Sequence, residues 1–320
     1  MSLELVAESG RPLPYRPGQF LTLRIPSDRT GSVARSYSLS SAPHEGGPLK
    51  VTVKRTVDGY GSNWLCDNAT AGMSIDSLPP AGVFTPESLD TDLLLFAAGS
   101  GITPVLSILK SALAQGNGRC TLIYANRDEK SVIFAGELRA LTAEYPQRLL
   151  VLHWLESVQG LPAARYLTDL ITPWSEREIF VCGPGAFMDA VVAAARHLGV
   201  DRNRVHVEKF VSLSGDPFAQ APIEVSDTAD SATVEVEFDG DTREFVWPRS
   251  TVLLDLLLAR GVEAPYSCRE GACSACVCRV VDGEVKLLRN DVLEQQDLAD
   301  GYVLACQAVP VTDSVRITYE

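Results

Sequence analysis

A multidomain chain is predicted, with an antiparallel β-barrel first, an α/β domain on a parallel sheet second and a smaller α+β domain last. Three stretches of different rhythm along the 320 residues predict it. Residues 1–88 hold short β-rich runs broken by Gly and Pro, residues 89–212 alternate apolar strands with helical patterns, and residues 232–320 start again with a hairpin pattern. A chain of this length exceeds what one hydrophobic core usually serves.

In the first stretch "QFLTLRI", "ARSYSLS" and "LKVTVKR" alternate as the strands of an antiparallel barrel do. In the second, "DLLLFAAG", "CTLIYANR", "LLVLHWL", "REIFVCGP" and "RVHVEKF" are strand-like. Between them run the helical patterns "PVLSILKSALAQG", "FAGELRALTAEY" and "AFMDAVVAAARHLG". Such alternation predicts a parallel sheet covered on both faces. Residues 213–231 turn polar and read as a linker. The last stretch opens with the hairpin-like "ATVEVEFDGDTREFVWP" and the helix-like "TVLLDLLLARG", and closes with strand-like segments around "VLACQAV" and "SVRITYE".

The apolar fraction is 46% and the charged fraction 22%, the balance of an ordinary folded enzyme. The net charge of -13 argues against a nucleic-acid partner, which would call for basic patches. No window of about 18 uninterrupted apolar residues is present to span a bilayer. The start "MSLELVAESG" lacks the features of a secretory signal. A cytoplasmic protein without a membrane partner is therefore expected, and in that compartment eight cysteines read as thiols or metal ligands rather than disulfides.

Four of those cysteines lie in "CREGACSACVC". Cys268, Cys273 and Cys276 are separated by four and two residues, and Cys306 follows after 29 more. This is the plant-type spacing of a 2Fe-2S cluster. Gly271, Ala272, Ser274 and Ala275 let the loop turn tightly enough to aim N–H groups at sulfur. Zinc is the competing ligand, but zinc sites usually draw on two paired knuckles and only one is present. Cys278, Cys66 and Cys120 carry no pattern and read as packing residues.

A one-electron centre needs a donor. "AAGSGITP" (97–104) stands between an apolar strand and a helix expected to begin at Pro104, and "CGPGAFM" (182–188) makes a second such turn. One glycine turn is a weak signal, and neither matches the full G-x-G-x-x-G fingerprint. Two on one parallel sheet point to a nucleotide at the strands' carboxyl ends. Cys182 could equally be a buried small residue, and Arg35 in "ARSYSLSS" a surface ion pair. A nicotinamide gives electrons in pairs and the cluster takes them singly, so a flavin has to stand between.

Taken together, "RSYS", "AAGSGITP", "CGPGAFM" and the C-terminal cysteines resemble the ferredoxin-NADP reductase superfamily, in its subgroup with a C-terminal plant-type ferredoxin domain. The likeness spans nearly the whole chain. "VTVKRTVDGYGSNWLCD", "YANRD", "VLHWLES", "NDVLEQQDL" and "LACQA" look most like reductases that feed Rieske oxygenases of steroid breakdown. The resemblance implies an FAD-binding barrel (1–88), an NAD-binding domain (89–212) and a β-grasp ferredoxin domain (232–320). It implies that Arg35 holds the flavin phosphates, Tyr37 packs on the ring and Ser38 bonds near N5. Val51, Val53 and Lys54 would line the flavin, and Gly61 and Ser62 would meet its pyrophosphate. Gly99, Gly101, Thr103 and Pro104 would lie beside the dinucleotide, with Cys182, Gly183 and Pro184 near the nicotinamide. Phe210 would face the flavin where the nicotinamide enters, or else close the sheet as a core aromatic. Ser38, Thr103, Cys182 and Phe210 are thus the expected catalytic positions.

In the loop after "TLIYAN", Arg127 suits a 2'-phosphate and Asp128 repels one; the resemblance decides for NADH, and for FAD over FMN. The family pattern implies a stretch before "SLELVAESG" that includes the first barrel strand, so here that strand is expected to be absent or the chain shortened. The implied partner is the terminal Rieske oxygenase component. The alternatives are a reductase serving a diiron epoxidase of the phenylacetyl-CoA type, and a cluster-bearing carrier or sensor that oxidises no nicotinamide.

Overall fold

The computed structural model describes residues 1–218 and 230–319, so 219–229, most of the expected linker, lie outside the described residues. The chain divides into two compact units. One comprises Met1–Leu21, Ser36–Ser74 and Val83–Phe210, and the other Thr22–Arg35, Ile75–Gly82 and the chain from Val211 onward.

In the first unit β1 (Ser2–Leu5) pairs antiparallel with β4 (Leu49–Thr52), from Ser2↔Thr52 to Leu5↔Leu49. A single bridge joins Leu39 to Val51. The barrel strands β2 (Phe20–Ser27) and β3 (Gly31–Ser38), of which Thr22–Ser27 and Gly31–Arg35 belong to the second unit, form a ladder of their own. Helix α1 (Tyr60–Asn68) follows. A five-stranded parallel sheet comes next, β5 (Leu93–Ala98), β6 (Cys120–Asn126), β7 (Leu149–Leu155), β8 (Glu178–Cys182) and β9 (Val205–Glu208), in the order β7-β6-β5-β8-β9. β5 and β6 are buried along their whole length, which is why β5 reads as an unbroken apolar run and β6 as a nearly continuous one.

Helices α2 (Ile102–Gln115) and α3 (Ala135–Glu144) cover one face of this sheet. The short α4 (Glu156–Gln159) leads to α5 (Ala164–Ile171), which covers the other face with α6 (Gly185–His197). The chain runs outward from β5 to β7 and returns at β8, so the strand order reverses between β5 and β8. That is the switch point at which open α/β sheets hold their ligands.

α2 also grips the barrel segment after β3. Ser107 Oγ donates to the Ser41 carbonyl at 2.6 Å, and Lys110 Nζ pairs with Glu45 at 2.8 Å and Glu137 at 3.2 Å. The helix starts two residues before the expected Pro104, after a 3-10 turn over Gly99–Gly101. A first-turn N–H has no intrahelical partner, so proline is tolerated there.

In the second unit β10 (Ser231–Phe238) and β11 (Asp241–Pro248) form the expected hairpin. Asp239 (φ 51°) and Gly240 (φ 76°) at its tip are both left-handed, as a type I′ turn demands. With β12 (Val277–Asp282), β14 (Tyr302–Leu304) and β16 (Ser314–Thr318) they build a mixed sheet, β11-β10-β16-β12-β14, in which β10 and β16 are parallel. Helix α7 (Leu253–Ala259) packs Leu253, Leu254, Leu256 and Leu257 against Trp247, Val234 and Ile317. β13 (Val285–Leu287) pairs with β15 (Ala308–Pro310), and α8 (Gln295–Ala299) precedes β14. Cys306, expected in a strand, lies in the turn Ala305–Gln307 between β14 and β15. No helix among the described residues is long and apolar enough to cross a membrane.

Candidate cofactor and electron-transfer sites

The two glycine turns sit side by side at the ends of β5 and β8, and they interlock. A Cβ on Gly101 would lie 2.1 Å from the Cys182 carbonyl oxygen, and one on Gly183 would lie 2.8 Å from Ala98 Cβ. Each glycine is therefore already required by the opposite turn. Gly99 takes a left-handed φ of 54°, its carbonyl accepts from Tyr124 Oη at 3.0 Å, and its Cβ position faces Lys54 Nζ at 3.4 Å. Thr103 is buried with its hydroxyl donated to the Ser100 carbonyl at 3.0 Å. Ile102 N–H is committed to Gly99 and Ser100, and Pro104 has none to offer. At β8 the N-cap of α6 is Pro184, with no side-chain cap, which leaves first-turn N–H groups for an anion.

Cys182 is fully buried, and burial, then the Glu208 charge, push its thiol well above the usual range. Its register partner on β9 is Glu208. Desolvation pushes this carboxyl up to about 8, so it holds a proton at neutral pH. Sequence reading missed Glu208, one glutamate in a short strand with no motif around it. It also missed Asn126 at the end of β6, buried with both side-chain amide atoms lacking a hydrogen-bond partner among the described residues. Phe210 follows β9 half-exposed at 50%, which is not the position of a core aromatic.

Whether these residues suit a flavin is tested by Ser38. Its hydroxyl is buried at 4% exposure, without a hydrogen-bond partner among the described residues. A buried orphan hydroxyl is costly unless a ligand meets it, so the residue fits the expected bond to a flavin ring. Val51 and Val53 are buried and Lys54 exposed. Val53 exchanges hydrogen bonds with Met1, N–H to carbonyl at 2.8 Å and amino terminus to carbonyl at 3.1 Å. Gly61 and Ser62 are buried in the first turn of α1, whose Gly59 N-cap supplies no side-chain cap. The Ser62 hydroxyl already accepts from Thr56 N–H at 3.1 Å and donates to the Gly59 carbonyl at 3.3 Å, so backbone N–H groups are what this turn can offer. Tyr37 shares β3 with Ser38.

The cysteine loop connects α7 to β12. Cys268, Cys276 and Cys306 are buried and Cys273 partly so. Cys268 Sγ accepts from the N–H groups of Glu270 and Ala272, both at 3.3 Å, and Cys273 Sγ from Cys268 N–H at 3.4 Å. The Cys273 and Cys306 thiols beside it, then these N–H groups, pull the Cys268 thiol down against burial, and Cys306 pulls Cys276 down. Arg269 (φ 58°) and Ser274 (φ 55°) are left-handed without being glycine, a strain that local packing must hold. Arg269 pairs with Asp255 of α7, and its carbonyl accepts from Gln307 Nε2 at 2.9 Å, next to Cys306. A Cβ on Gly271 would lie 2.8 Å from the Arg289 carbonyl. Among the described residues no three His, Cys, Asp or Glu form a single-ion site. The sulfur contacts run from Cys273 to Cys268, on to Cys306 and then to Cys276, so the four thiols gather at one place. Cys120 and Cys278 lie in cores, where burial raises both thiols, Cys120 to about 12.

The chain matches an oxidoreductase FAD-binding domain over residues 2–85, an oxidoreductase NAD-binding domain over 95–193 and a 2Fe-2S iron-sulfur cluster binding domain over 236–311. These matches select the cluster over zinc and place FAD, NAD and 2Fe-2S chemistry in one chain. The structure is similar to a phthalate dioxygenase reductase described as modular for electron transfer from pyridine nucleotides to [2Fe-2S], with TM-score 0.59 and 26% identity, covering 99% of this chain and 92% of that one. In sequence it is 58% identical over 310 residues to a 3-ketosteroid-9-alpha-monooxygenase ferredoxin reductase component of Mycobacterium tuberculosis, covering 97% of this chain and 87% of the relative. The corresponding protein of Rhodococcus rhodochrous is 63% identical over 308 residues, covering 95% and 88%. With the three domain types in one chain and identity of this extent, the chain belongs to the family of ferredoxin reductase components of 3-ketosteroid-9-alpha-monooxygenases.

Proposed function

We propose that this chain draws electrons from NADH in the cytoplasm and delivers them to a Rieske oxygenase component that hydroxylates a 3-ketosteroid at C9. The identity to relatives bearing that name supports the steroid reading, and the observation that carries it is the joining of all three cofactor domains in one chain. The functional boundaries fall at 1–88, 89–212 and 232–320, with a connector at 213–231. Bound FAD supplies a centre that takes electrons in pairs and releases them singly, and the 2Fe-2S cluster a one-electron carrier.

The chain's own residues orient these groups. Arg35 has three N–H groups beyond the two on Nη1 with which to meet a phosphate, and Tyr37, Val51, Val53 and Lys54 enclose the ring. Ser38 Oγ offers its unpartnered hydroxyl near the reacting edge. The backbone of Gly61 and Ser62 receives the pyrophosphate. The interlocked turns Gly99–Pro104 and Cys182–Pro184 hold the nicotinamide half of NADH, Thr103 and the thiol of Cys182 line its approach, and Phe210 covers the ring until it enters. Glu208 keeps a proton beside Cys182 and so adds no negative charge there at neutral pH. Cys268, Cys273, Cys276 and Cys306 hold the cluster.

Reconstitution tests the reading. The loaded protein, NADH and a purified 3-ketosteroid oxygenase component should yield hydroxylated steroid in air, whereas a diiron phenylacetyl-CoA epoxidase given the same reductase should yield little product. Turnover with the epoxidase alone would overturn it.

A further inference from the structure

The segment after Phe210 reads as polar linker, yet its first residues are tied on two sides within the second unit. Leu213 is buried and packs against Ala34 of β3 and against Cys268 and Ala272 of the cysteine loop. On the hairpin side Arg35 Nη1 donates to the Leu213 carbonyl at 3.0 Å and to Ala34 at 2.7 Å. Ser32 Oγ donates to Asp216 at 3.1 Å, and Arg24 pairs with Asp216 at 3.6 Å while its guanidinium lies 5.7 Å from the Phe218 ring centroid. On the other side stands one residue of the cysteine loop, Glu270. Its carboxylate accepts from Ser214 N–H at 3.2 Å, from Ser214 Oγ at 2.9 Å and from Gly215 N–H. A Cβ on Gly215 would lie 2.7 Å from Glu270 Oε1, so the carboxylate occupies the space a side chain would need.

We infer that Glu270 is a positioning residue for the passage of electrons from flavin to cluster: its carboxylate clasps Ser214 and Gly215 and through them ties the cysteine loop to the β2–β3 hairpin. The electrostatics argue that its role is geometric. A negative charge between two cluster ligands opposes an incoming electron, so driving force gives no reason to keep a carboxylate there. The same residue's N–H meets Cys268 Sγ at 3.3 Å. A shift of the clasp is therefore a shift of a cluster ligand, and the strand it is fastened to is the one that carries Arg35. The inference rests on assigning the cluster to Cys268, Cys273, Cys276 and Cys306.

The test uses the full chain loaded with FAD and cluster, mixed with NADH without oxygen, following flavin and cluster bleaching as separate phases. Hydrogen exchange at Ser214 and Gly215 and the cluster midpoint potential are measured in parallel. Glu270→Ala should speed exchange at the two amides by about tenfold, equivalent to about 1.4 kcal/mol. It should slow cluster bleaching by about tenfold while flavin bleaching stays within about twofold. Gly215→Ala, which displaces the carboxylate from the other side and changes no charge, should do the same without moving the potential. Glu270→Gln should shift the potential as Glu270→Ala does but slow cluster bleaching less, because a carbonyl oxygen still accepts. Unchanged exchange and unchanged cluster bleaching in Gly215→Ala would overturn the inference. So would equal slowing in Glu270→Gln and Glu270→Ala, because the accepting oxygen kept by glutamine would then make no difference. A wild-type chain without iron would instead fail the cluster assignment, and the exchange data would still decide whether the clasp exists.

Discussion

Substituting Gly101 by alanine should do more damage than its chemistry suggests. The added methyl would stand 2.1 Å from the Cys182 carbonyl oxygen and 2.7 Å from Gly183 N, and both are backbone atoms that cannot rotate away. Gly101 has φ -60°, an ordinary helical value, so the whole cost is steric rather than conformational. Restoring van der Waals contact needs the turns to part by roughly 1 Å, and overpacking of this kind costs about 1–3 kcal/mol. For a unit of this size that lowers the melting temperature by about 2–4 °C per kcal/mol. The functional loss should be larger, since a displacement of about 1 Å at a reacting pair costs on the order of a hundredfold in rate. Thermal unfolding of the flavin-loaded protein and anaerobic stopped-flow bleaching by NADH measure the two effects separately. A variant that melts lower yet bleaches at the wild-type rate would show that the interlocked turns do not position the nicotinamide.

Other outcomes follow from single residues. Ser38→Ala removes a buried hydroxyl that has no partner among the described residues, so the flavin-free protein should lose no stability, while NADH-driven bleaching slows by about tenfold or more; an unchanged rate would return Ser38 to a packing role. The native Glu208 carboxyl keeps its proton up to about pH 8, whereas the unfolded one releases it near about 4.3. The native state thus binds the extra proton between those values, and stability falls as pH rises through that window. Glu208→Gln should flatten the slope, as denaturant titrations at several pH values would report. Cys306→Ser should strip the visible and EPR signals of the cluster and most of the iron while flavin bleaching by NADH persists; full iron retention would remove Cys306 from the ligand set.

The cluster was legible because its information is local, three cysteines at fixed spacing and a fourth arriving later, and the parallel sheet because β5 and β6 are buried throughout. The turns were found for half the reason. Gly101 and Gly183 read as room for a nucleotide, and the structure adds that they make room for each other, a contact between strands far apart in sequence. Glu208 stayed hidden because its raised proton affinity comes from burial beside Cys182, and Asn126 because an asparagine ending a strand resembles a turn former. Residues 213–218 were read as linker from polarity alone. Their order comes from Leu213, from the Glu270 carboxylate on one side and from Arg24, Ser32 and Arg35 on the other, none of which composition reveals.

The most direct test of the whole account is an anaerobic titration of the loaded protein with NADH, followed by visible absorption and EPR. The account predicts bleaching of the flavin bands followed by an EPR signal from the reduced 2Fe-2S cluster, with three electrons taken up per chain, on the order expected for one two-electron and one one-electron centre. Flavin bleaching that never yields the cluster signal, or no bleaching at all, would contradict it.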